Sequence, residues 1–120
     1  MKKILIADDK ATGRELVRTV LQKAGHEVFE ASNGIEALEV ANRVQPDLII
    51  LDLHMPVMDG FAVVKELRSL EQFESSPIVA LTASAMQGDR QKAMESGFSG
   101  YITKPISLNQ LRNEGERLLE

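Results

Sequence analysis

The sequence predicts an α/β protein in which a five-stranded parallel sheet lies between two layers of helices. Three observations lead to this prediction. Short aliphatic runs alternate with helical hydrophobic patterns along the whole chain, the connections between them are short, and the run LIILD at 48–52 is apolar until its last residue. Alternating strands and helices favour a parallel sheet. A strand covered by helices on both faces is continuously hydrophobic, as LIILD is.

A strand and a helix open the chain. The segment KKILIA at 2–7 predicts the first strand because it is short and aliphatic. Apolar residues then recur at helical spacing, which predicts a helix from Arg14 to Ala24, and Gly25 is suited to end that helix. The stripe that we expect this helix to bury consists of Leu16, Val17, Val20, Leu21 and Ala24.

The second strand and helix have clear boundaries. EVFEA at 27–31 alternates as a strand near the margin of a sheet does. Asn33 and Glu36 have the spacing of a capping box and predict the start of a helix, which Pro46 ends. LIILD at 48–52 then predicts the third strand, buried on both faces.

Three helices and two strands complete the predicted fold. Ser107 and Gln110 form a capping box that predicts the start of the last helix. The elements expected before it are a helix from Gly60 to Leu70, a strand in PIVALTA (77–83), a short helix from about Gly88 to Ser96, and a strand in GYITK (100–104).

Length and composition restrict the class of protein. The 120 residues suit one domain spanning residues 1–120, without repeat or linker. The net charge of −4 gives no basic footprint for nucleic acid, and no apolar run approaches the roughly 20 residues that span a bilayer. The chain has no cysteine, which excludes disulfides and thiolate metal sites and is compatible with a cytoplasmic location.

Polar residues stand at the carboxyl ends of four predicted strands. Asp8 and Asp9 follow the first strand, Asp52 ends the third, Thr82 ends the fourth, and Lys104 ends the fifth. In a parallel sheet these positions share the edge at which ligands bind. Crowded carboxylates repel one another unless a cation lies among them, and oxygen ligands favour Mg²⁺. A carboxylate beside a divalent cation, an ammonium group and a hydroxyl is suited to accept a phosphoryl group.

The order of these motifs resembles the response-regulator receiver domains of two-component signalling. ILIADD, LDLHMPVMDG, VALTA and YITKPI carry the resemblance, which covers essentially the whole chain. It implies a sheet with strand order 2-1-3-4-5 and helices on both faces, the flavodoxin-like or CheY-like fold. It also implies that Asp52 is the phosphoacceptor and that Thr82 and Lys104 hold the phosphoryl group.

The resemblance implies a metal site and a conformational switch as well. The switch would couple Thr82 to the aromatic ring of Tyr101, and the peptide bond between Lys104 and Pro105 would be cis. Mg²⁺ would be the cofactor, with Asp9 as a direct ligand. The full set of implied Mg²⁺ ligands is Asp8, Asp9, Asp52 and His54, the last through its backbone carbonyl.

The activity implied by this resemblance is signalling rather than turnover catalysis. A histidine kinase or a histidine phosphotransfer protein would dock near Lys10, Arg14 and Pro105 and donate a phosphoryl group to Asp52, forming an aspartyl phosphate. The segment LTASAMQGDRQKAMESGFSGYITKPI resembles that of receivers in hybrid histidine kinases and phosphorelays more than that of transcription-factor receivers. A downstream effector protein would bind the face formed by the fourth helix, fifth strand and fifth helix, around Gln87, Arg90, Gln91 and Tyr101.

Other interpretations of the same residues remain open at this point. Asp8 and Asp9 alone could cap a helix, and Lys104 alone could be a surface lysine. A phosphatase of the haloacid-dehalogenase kind also combines Asp, Thr and Lys around Mg²⁺, but it requires D-x-D where this chain has His54 two residues after Asp52. A nucleotide binder would need a phosphate-cradling loop in place of ADDKATG.

Two further alternatives concern receivers themselves. A receiver that acts only as a docking module would have lost part of the acid, threonine and lysine set, and this chain retains all of it. Because the sequence stops after the fifth predicted helix, we expect either a stand-alone regulator or a receiver excised from a larger protein such as a hybrid kinase.

Overall fold

The structure, a computed structural model, describes residues 2–83, 87–104 and 107–119. These residues form five strands and five helices in alternation, with a short 3-10 helix at Glu71–Phe73 between the third helix and the fourth strand. The strands are β1 (Lys3–Ala7), β2 (Glu27–Ala31), β3 (Leu48–Asp52), β4 (Ile78–Thr82) and β5 (Gly100–Thr103). The helices are α1 (Ala11–Lys23), α2 (Gly34–Val44), α3 (Gly60–Arg68), α4 (Gln87–Glu95) and α5 (Leu108–Leu119).

All strand pairs in the sheet are parallel, and the strand order is β2-β1-β3-β4-β5. This confirms the predicted fold class and order. The register pairs Ala7 with Leu51, Asp52 with Leu81, and Thr82 with Thr103, so the carboxyl ends of β1, β3, β4 and β5 reach the same edge. The predicted site residues are therefore brought to one edge of the sheet.

Two hydrophobic clusters cover the two faces of the sheet. On one face α2, α3 and α4 pack against alternate residues of the strands, and on the other α1 and α5 pack through Val17, Leu21 and Leu111. Every residue of β3 and β4 is buried, as their apolar sequences predict. Each face of the sheet therefore belongs to one cluster, and the sheet lies between two layers of helices.

Side-chain hydrogen bonds cap the N-termini of α2, α3 and, more weakly, α5. Asn33 accepts a hydrogen bond from the Glu36 N–H at 2.9 Å, as the sequence predicts. Asp59 caps α3 in the same way by accepting from the Ala62 N–H, also at 2.9 Å. The predicted cap of α5 is weaker, because the Gln110 N–H lies 3.4 Å from the Ser107 hydroxyl. Local sequence thus determines where these helices start.

Helix α1 differs from its prediction. It begins at Ala11 rather than Arg14, because the chain turns directly after β1 through a hydrogen bond from the Lys10 N–H to the Asp8 carboxylate. Leu16 and Ala24 were expected on the buried stripe, but both are exposed, Leu16 by 46%. Only Val17 and Leu21, four residues apart on one side of the helix, are buried, and Leu16 lies outside that line.

Arg68 joins three segments near the end of α3. Its guanidinium donates to the carbonyls of Phe73 and Ser76 at 2.7 Å and of Gly97 at 2.9 Å. It also donates to the Ser99 hydroxyl at 3.2 Å, just before β5. Burial lowers the pKa of Arg68 below its ordinary value. The side chain therefore serves as a structural tie. Within the described ranges, no helix has the length and apolar character needed to span a membrane.

Candidate functional site

The carboxyl edge of the sheet brings three aspartates together. Asp8 and Asp9 follow β1, and Asp52 is the last residue of β3. Each of these residues offers a carboxylate oxygen, and the three oxygens all lie within 4.8 Å of one another. Asp8 and Asp52 are buried, whereas Asp9 is exposed. We call these three residues the acidic cluster, and its assembly agrees with the arrangement expected from the sequence.

Asp52 is held by hydrogen bonds to both of its carboxylate oxygens. Oδ1 accepts from the backbone N–H of His54 at 2.9 Å, and Oδ2 accepts from the Lys104 ammonium at 2.9 Å. The residue is only 4% exposed. Burial raises the pKa of the Asp52 carboxyl, and the charge of Asp8 adds to this effect, while the hydrogen bonds from His54 and Lys104 act in the opposite direction. The carboxylate is oriented, but its charge is only partly compensated.

Lys104 connects the two buried carboxylates. Its ammonium lies 2.9 Å from Asp52 Oδ2 and 3.1 Å from Asp8 Oδ2, and its own backbone N–H donates to the Thr82 carbonyl at 2.6 Å. Burial alone lowers the pKa of Lys104, but the hydrogen bonds and charges of Asp52 and Asp8 outweigh burial and raise it. The contact with Asp52 fits the sequence prediction, whereas the contact with Asp8 was not predicted.

The turn between β1 and α1 is fixed on both sides of Asp8. The Lys10 N–H donates to Asp8 Oδ1 at 2.9 Å, and Arg14 Nη1 donates to the Asp8 carbonyl at 2.6 Å. Glu30 of β2 accepts from Arg14 Nε at 3.3 Å and from Arg18 at 2.8 Å. Sequence reasoning missed Glu30. The spacing of Arg14 and Arg18 on one helical face was the available signal, because both could reach a neighbouring strand.

Thr82 and Tyr101 lie on adjacent strands, and the predicted coupling between them stays a prediction. Thr82 ends β4 and is fully buried, and it pairs with Thr103 of β5 in the sheet register. Tyr101 is half-buried and packs at the margin of the larger hydrophobic cluster. It also borders a surface cavity of about 760 Å³. The other residues that line this cavity are Arg90, Gln91, Met94, Thr103, Gln110 and Glu114.

Some predicted positions lie outside the described residues. Pro105 is among them, so the predicted cis bond after Lys104 stays a prediction, as does the docking role of Pro105. The side chain of Gln87, expected on the effector surface, is also outside the described part. The side chain of His54 is exposed, and its described contact is the backbone N–H bond to Asp52.

The acidic cluster fits the expected cation. Its donor atoms are carboxylate oxygens, which hard divalent cations prefer, and their mutual distances allow all three residues to face one ion. Lys104 compensates one negative charge of the two buried carboxylates, which leaves the cluster with an excess of negative charge. The residues present therefore match Mg²⁺ in both ligand chemistry and charge.

Fold and site together define a small, doubly wound α/β protein whose acidic cluster stands at the carboxyl edge of a parallel sheet. Comparison with known families assigns it more closely. Residues 4–115 match the response regulator receiver domain, and the chain belongs to that family. Receivers are signalling domains of two-component systems, and acceptance of a phosphoryl group is general among them. This confirms the resemblance seen in the sequence.

Individual relatives support the same assignment. The polar-differentiation response regulator DivK of Brucella anthropi is 36% identical over 107 residues, covering 89% of this chain and 87% of that protein. The chemotaxis response regulator CheY4 of Vibrio cholerae has a TM-score of 0.94 at 38% identity, covering 99% of both chains. The receiver domain of the sensor histidine kinase PA1611 of Pseudomonas aeruginosa has a TM-score of 0.91 at 32% identity, covering 98% of this chain and 97% of that one. That structure has a magnesium ion coordinated in its active site cleft.

Proposed function

We propose that this protein accepts a phosphoryl group on Asp52 from a phosphohistidine of a histidine kinase or histidine phosphotransfer protein, in a Mg²⁺-dependent reaction in the cytoplasm. The observation that carries the proposal is the environment of Asp52. It is a buried carboxylate oriented by the His54 N–H and by Lys104, and it faces two further aspartates. Membership of the receiver family supports the same assignment.

Asp52 acts as the nucleophile in the proposed reaction. One of its carboxylate oxygens forms a bond to phosphorus, the P–N bond to the donor imidazole breaks, and the bonding electrons leave with the imidazole nitrogen. The His54 N–H and the Lys104 ammonium fix the plane of the carboxylate before attack. Such preorganisation lowers the barrier because the reacting groups need little reorientation.

Lys104 and a cation held by the acidic cluster would neutralise the negative charge of the transferred phosphoryl group. The Lys104 ammonium already bonds to Asp52, so it stands within reach of phosphoryl oxygens attached to that residue. Asp8, Asp9 and Asp52, with the backbone carbonyl of His54, would hold Mg²⁺. When bound, Mg²⁺ neutralises charge on the phosphoryl oxygens. The magnesium ion in the cleft of the PA1611 receiver supports this choice of cation.

Thr82 and Tyr101 transmit the phosphorylated state to an effector protein. The buried Thr82 hydroxyl turns toward the phosphoryl oxygens, and Tyr101, on the neighbouring strand, turns inward in response. The cavity beside Tyr101 is bordered by Arg90 and Gln91, which lie on the predicted effector surface. A partner that prefers the inward state of Tyr101 shifts the population by its differential affinity. The donor protein docks separately, near Lys10 and Arg14.

Phosphorylation with a small donor tests the first step. The protein is incubated with Mg²⁺ and acetyl phosphate, and its intact mass is measured against Asp52→Asn. We expect one phosphoryl group on the parent and none on the variant, and removal of Mg²⁺ with a chelator should abolish labelling. Equal labelling of Asp52→Asn would exclude Asp52 as the acceptor. Rapid phosphotransfer from a panel of histidine kinases and phosphotransfer proteins would then identify the donor.

Amide spectra test the second step. Addition of beryllofluoride and Mg²⁺ should shift resonances near Asp52 and also those of residues 88–101, and Thr82→Ala should lose the distant shifts. Shifts confined to the neighbourhood of Asp52 would contradict the switch. A phosphatase of the haloacid-dehalogenase kind is the rival activity, and turnover of small phosphate esters by the parent would favour it over a receiver.

A further inference from the structure

Gly13 lies in the first turn of α1, where glycine weakens a helix relative to alanine. Its backbone does not require glycine. The described glycines with positive φ are Gly25 and Gly97, and Gly13 is not one of them. The reason for glycine at this position must therefore lie in the space that a side chain would occupy.

That space is taken by the carboxylate of Asp8. A Cβ atom on Gly13 would lie 2.7 Å from Asp8 Oδ2 and 3.5 Å from Asp8 Cγ. Oδ2 is the atom that accepts the Lys104 hydrogen bond at 3.1 Å. Asp8 is fully buried, so its carboxylate has little room to turn away. A methyl group at position 13 would therefore press directly on the lysine-bonded oxygen of the acidic cluster.

Helix α1 cannot easily retreat to make room, because it is tied to the same residue. The Lys10 N–H, immediately before the helix, donates to Asp8 Oδ1 at 2.9 Å, and Arg14 donates to the Asp8 carbonyl at 2.6 Å. Arg14 is held in turn by Glu30 of β2. Lys10 and Arg14 lie before and after Gly13 in the chain, and their bonds to Asp8 hold the start of α1 in place. A side chain added at position 13 would therefore displace the Asp8 carboxylate before it displaced the helix.

We propose that Gly13 is a positioning residue of the acidic cluster. Its missing side chain lets α1 lie against the Asp8 carboxylate, which keeps Oδ2 within reach of Lys104 and the Asp8 carboxylate close to those of Asp9 and Asp52. The consequence for Mg²⁺ affinity rests on the proposed function, because it assumes that the cluster binds this cation. The consequence for the position of Asp8 does not.

The chain offers a matched control in Gly115. This glycine lies inside α5, and a Cβ atom added there would meet no atom of the described residues within 4 Å. Gly13→Ala and Gly115→Ala make the same chemical change in a helix, and both gain helix propensity. They differ in whether a carboxylate occupies the new position. Any difference between the two variants therefore reports the contact with Asp8.

Isothermal titration calorimetry of the folded protein with MgCl₂ measures the effect on Mg²⁺ affinity. We expect Gly13→Ala to bind Mg²⁺ about tenfold more weakly than the parent, as is usual when a residue that orients a metal ligand is lost. Gly115→Ala should bind it as the parent does. In the metal-free protein, the carboxyl carbon resonance of Asp8 should shift in Gly13→Ala and stay unchanged in Gly115→Ala.

A double-mutant cycle covers the case in which Gly13→Ala folds poorly. Asp8→Ala removes the obstructing oxygen, so Gly13→Ala should raise the thermal midpoint in the Asp8→Ala background but lower it in the parent. An equal effect in both backgrounds, or unchanged Mg²⁺ affinity and Asp8 resonance in Gly13→Ala, would overturn the inference. A parent that binds no Mg²⁺ would overturn the proposed metal site instead, and the Asp8 resonance and the cycle would still decide the role of Gly13.

Discussion

Replacing Lys104 by methionine should destabilise the metal-free protein, because it removes the cation between two buried carboxylates. The Lys104 ammonium lies 3.1 Å from Asp8 Oδ2 and 2.9 Å from Asp52 Oδ2. Methionine preserves most of the side-chain volume but neither the charge nor the hydrogen bonds. Two carboxylates, with side chains 0% and 6% exposed, would then face each other without compensation.

The size of the effect follows from how deeply the ion pairs lie. Removing one partner of a fully buried ion pair costs about 3–5 kcal/mol, whereas exposed pairs contribute about 1 kcal/mol or less. The Lys104 side chain is 21% exposed, so these pairs lie between the two limits but nearer the buried one. We expect a loss of about 2.5 kcal/mol in the free energy of unfolding. For a chain of this length, that is a decrease of about 10 °C in Tm.

Thermal unfolding followed by circular dichroism in EDTA measures this loss. Lys65→Met is a suitable control, because Lys65 is an exposed lysine of α3, and it should change stability by no more than about 0.5 kcal/mol. Addition of Mg²⁺ should raise the Tm of Lys104→Met more than that of the parent, because a cation that binds the folded state stabilises it and the variant site is more negative.

Three results would refute this reasoning. If Lys104→Met matches the parent in EDTA, the ammonium does not compensate the buried carboxylates. If the variant is destabilised but Mg²⁺ raises the Tm of both proteins equally, the cation does not bind beside the carboxylates that Lys104 contacts. If Lys104→Met loses no more stability than Lys65→Met, the loss reflects the removal of a lysine in general and not the contacts with Asp8 and Asp52.

Three other substitutions test the acidic cluster and the contacts of Arg68. Asp52→Asn should raise the Tm of the metal-free protein at neutral pH, since burial raises the pKa of Asp52 and its ionised form destabilises the fold. Between the ordinary carboxyl pKa and the raised pKa, the folded state keeps a proton on Asp52 that the unfolded state has lost. The stability of the parent relative to Asp52→Asn should therefore fall as pH rises through this range. A stability difference that does not change with pH would contradict this prediction. Asp9→Asn should weaken Mg²⁺ binding about tenfold or more in a titration, because a hard-cation site loses a charged ligand, and unchanged affinity would remove Asp9 from the site. Arg68→Met should lower the free energy of unfolding by about 2–3 kcal/mol, because the partly buried carbonyls of Ser76 and Gly97 lose the guanidinium that donates to them, while Mg²⁺ affinity should stay unchanged.

The sequence was sufficient to predict the sheet and the gathering of the site residues. A continuously apolar run such as LIILD, in a chain that alternates strands and helices, predicts a strand covered by helices on both faces. Parallel strands end at one edge, so the convergence of Asp8, Asp52 and Thr82 followed from topology. The cap formed by Asn33 and Glu36 depends on residues three apart, so it was also visible in the sequence. These features depend on local pattern or on the rules of sheet connection.

The features that escaped prediction depend on contacts between distant segments. The bond of Arg14 to Glu30 joins α1 to β2, and the tie of Arg68 to Gly97 joins α3 to the turn before β5. Hydrophobic spacing carries no information about either pair. The exposure of Leu16 was missed for the same reason, since the width of the buried stripe depends on how closely α1 approaches the sheet. The reason for Gly13 required the position of the Asp8 carboxylate, which only the folded structure provides.

The hydrogen bond between Lys104 and Asp8 joins residues 96 positions apart. The proposed metal ligands and phosphoryl-binding groups lie at the ends of separate strands, and Lys104 directly follows β5, the last of these strands to be synthesised. We therefore expect a nascent or truncated chain without β5 and Lys104 to lack the charge balance that the proposed reaction needs, even if its first four strands have paired. The protein would then become able to accept a phosphoryl group only once β5 has joined the sheet. An incompletely synthesised chain would not be phosphorylated and would not compete with complete chains for the phosphoryl donor.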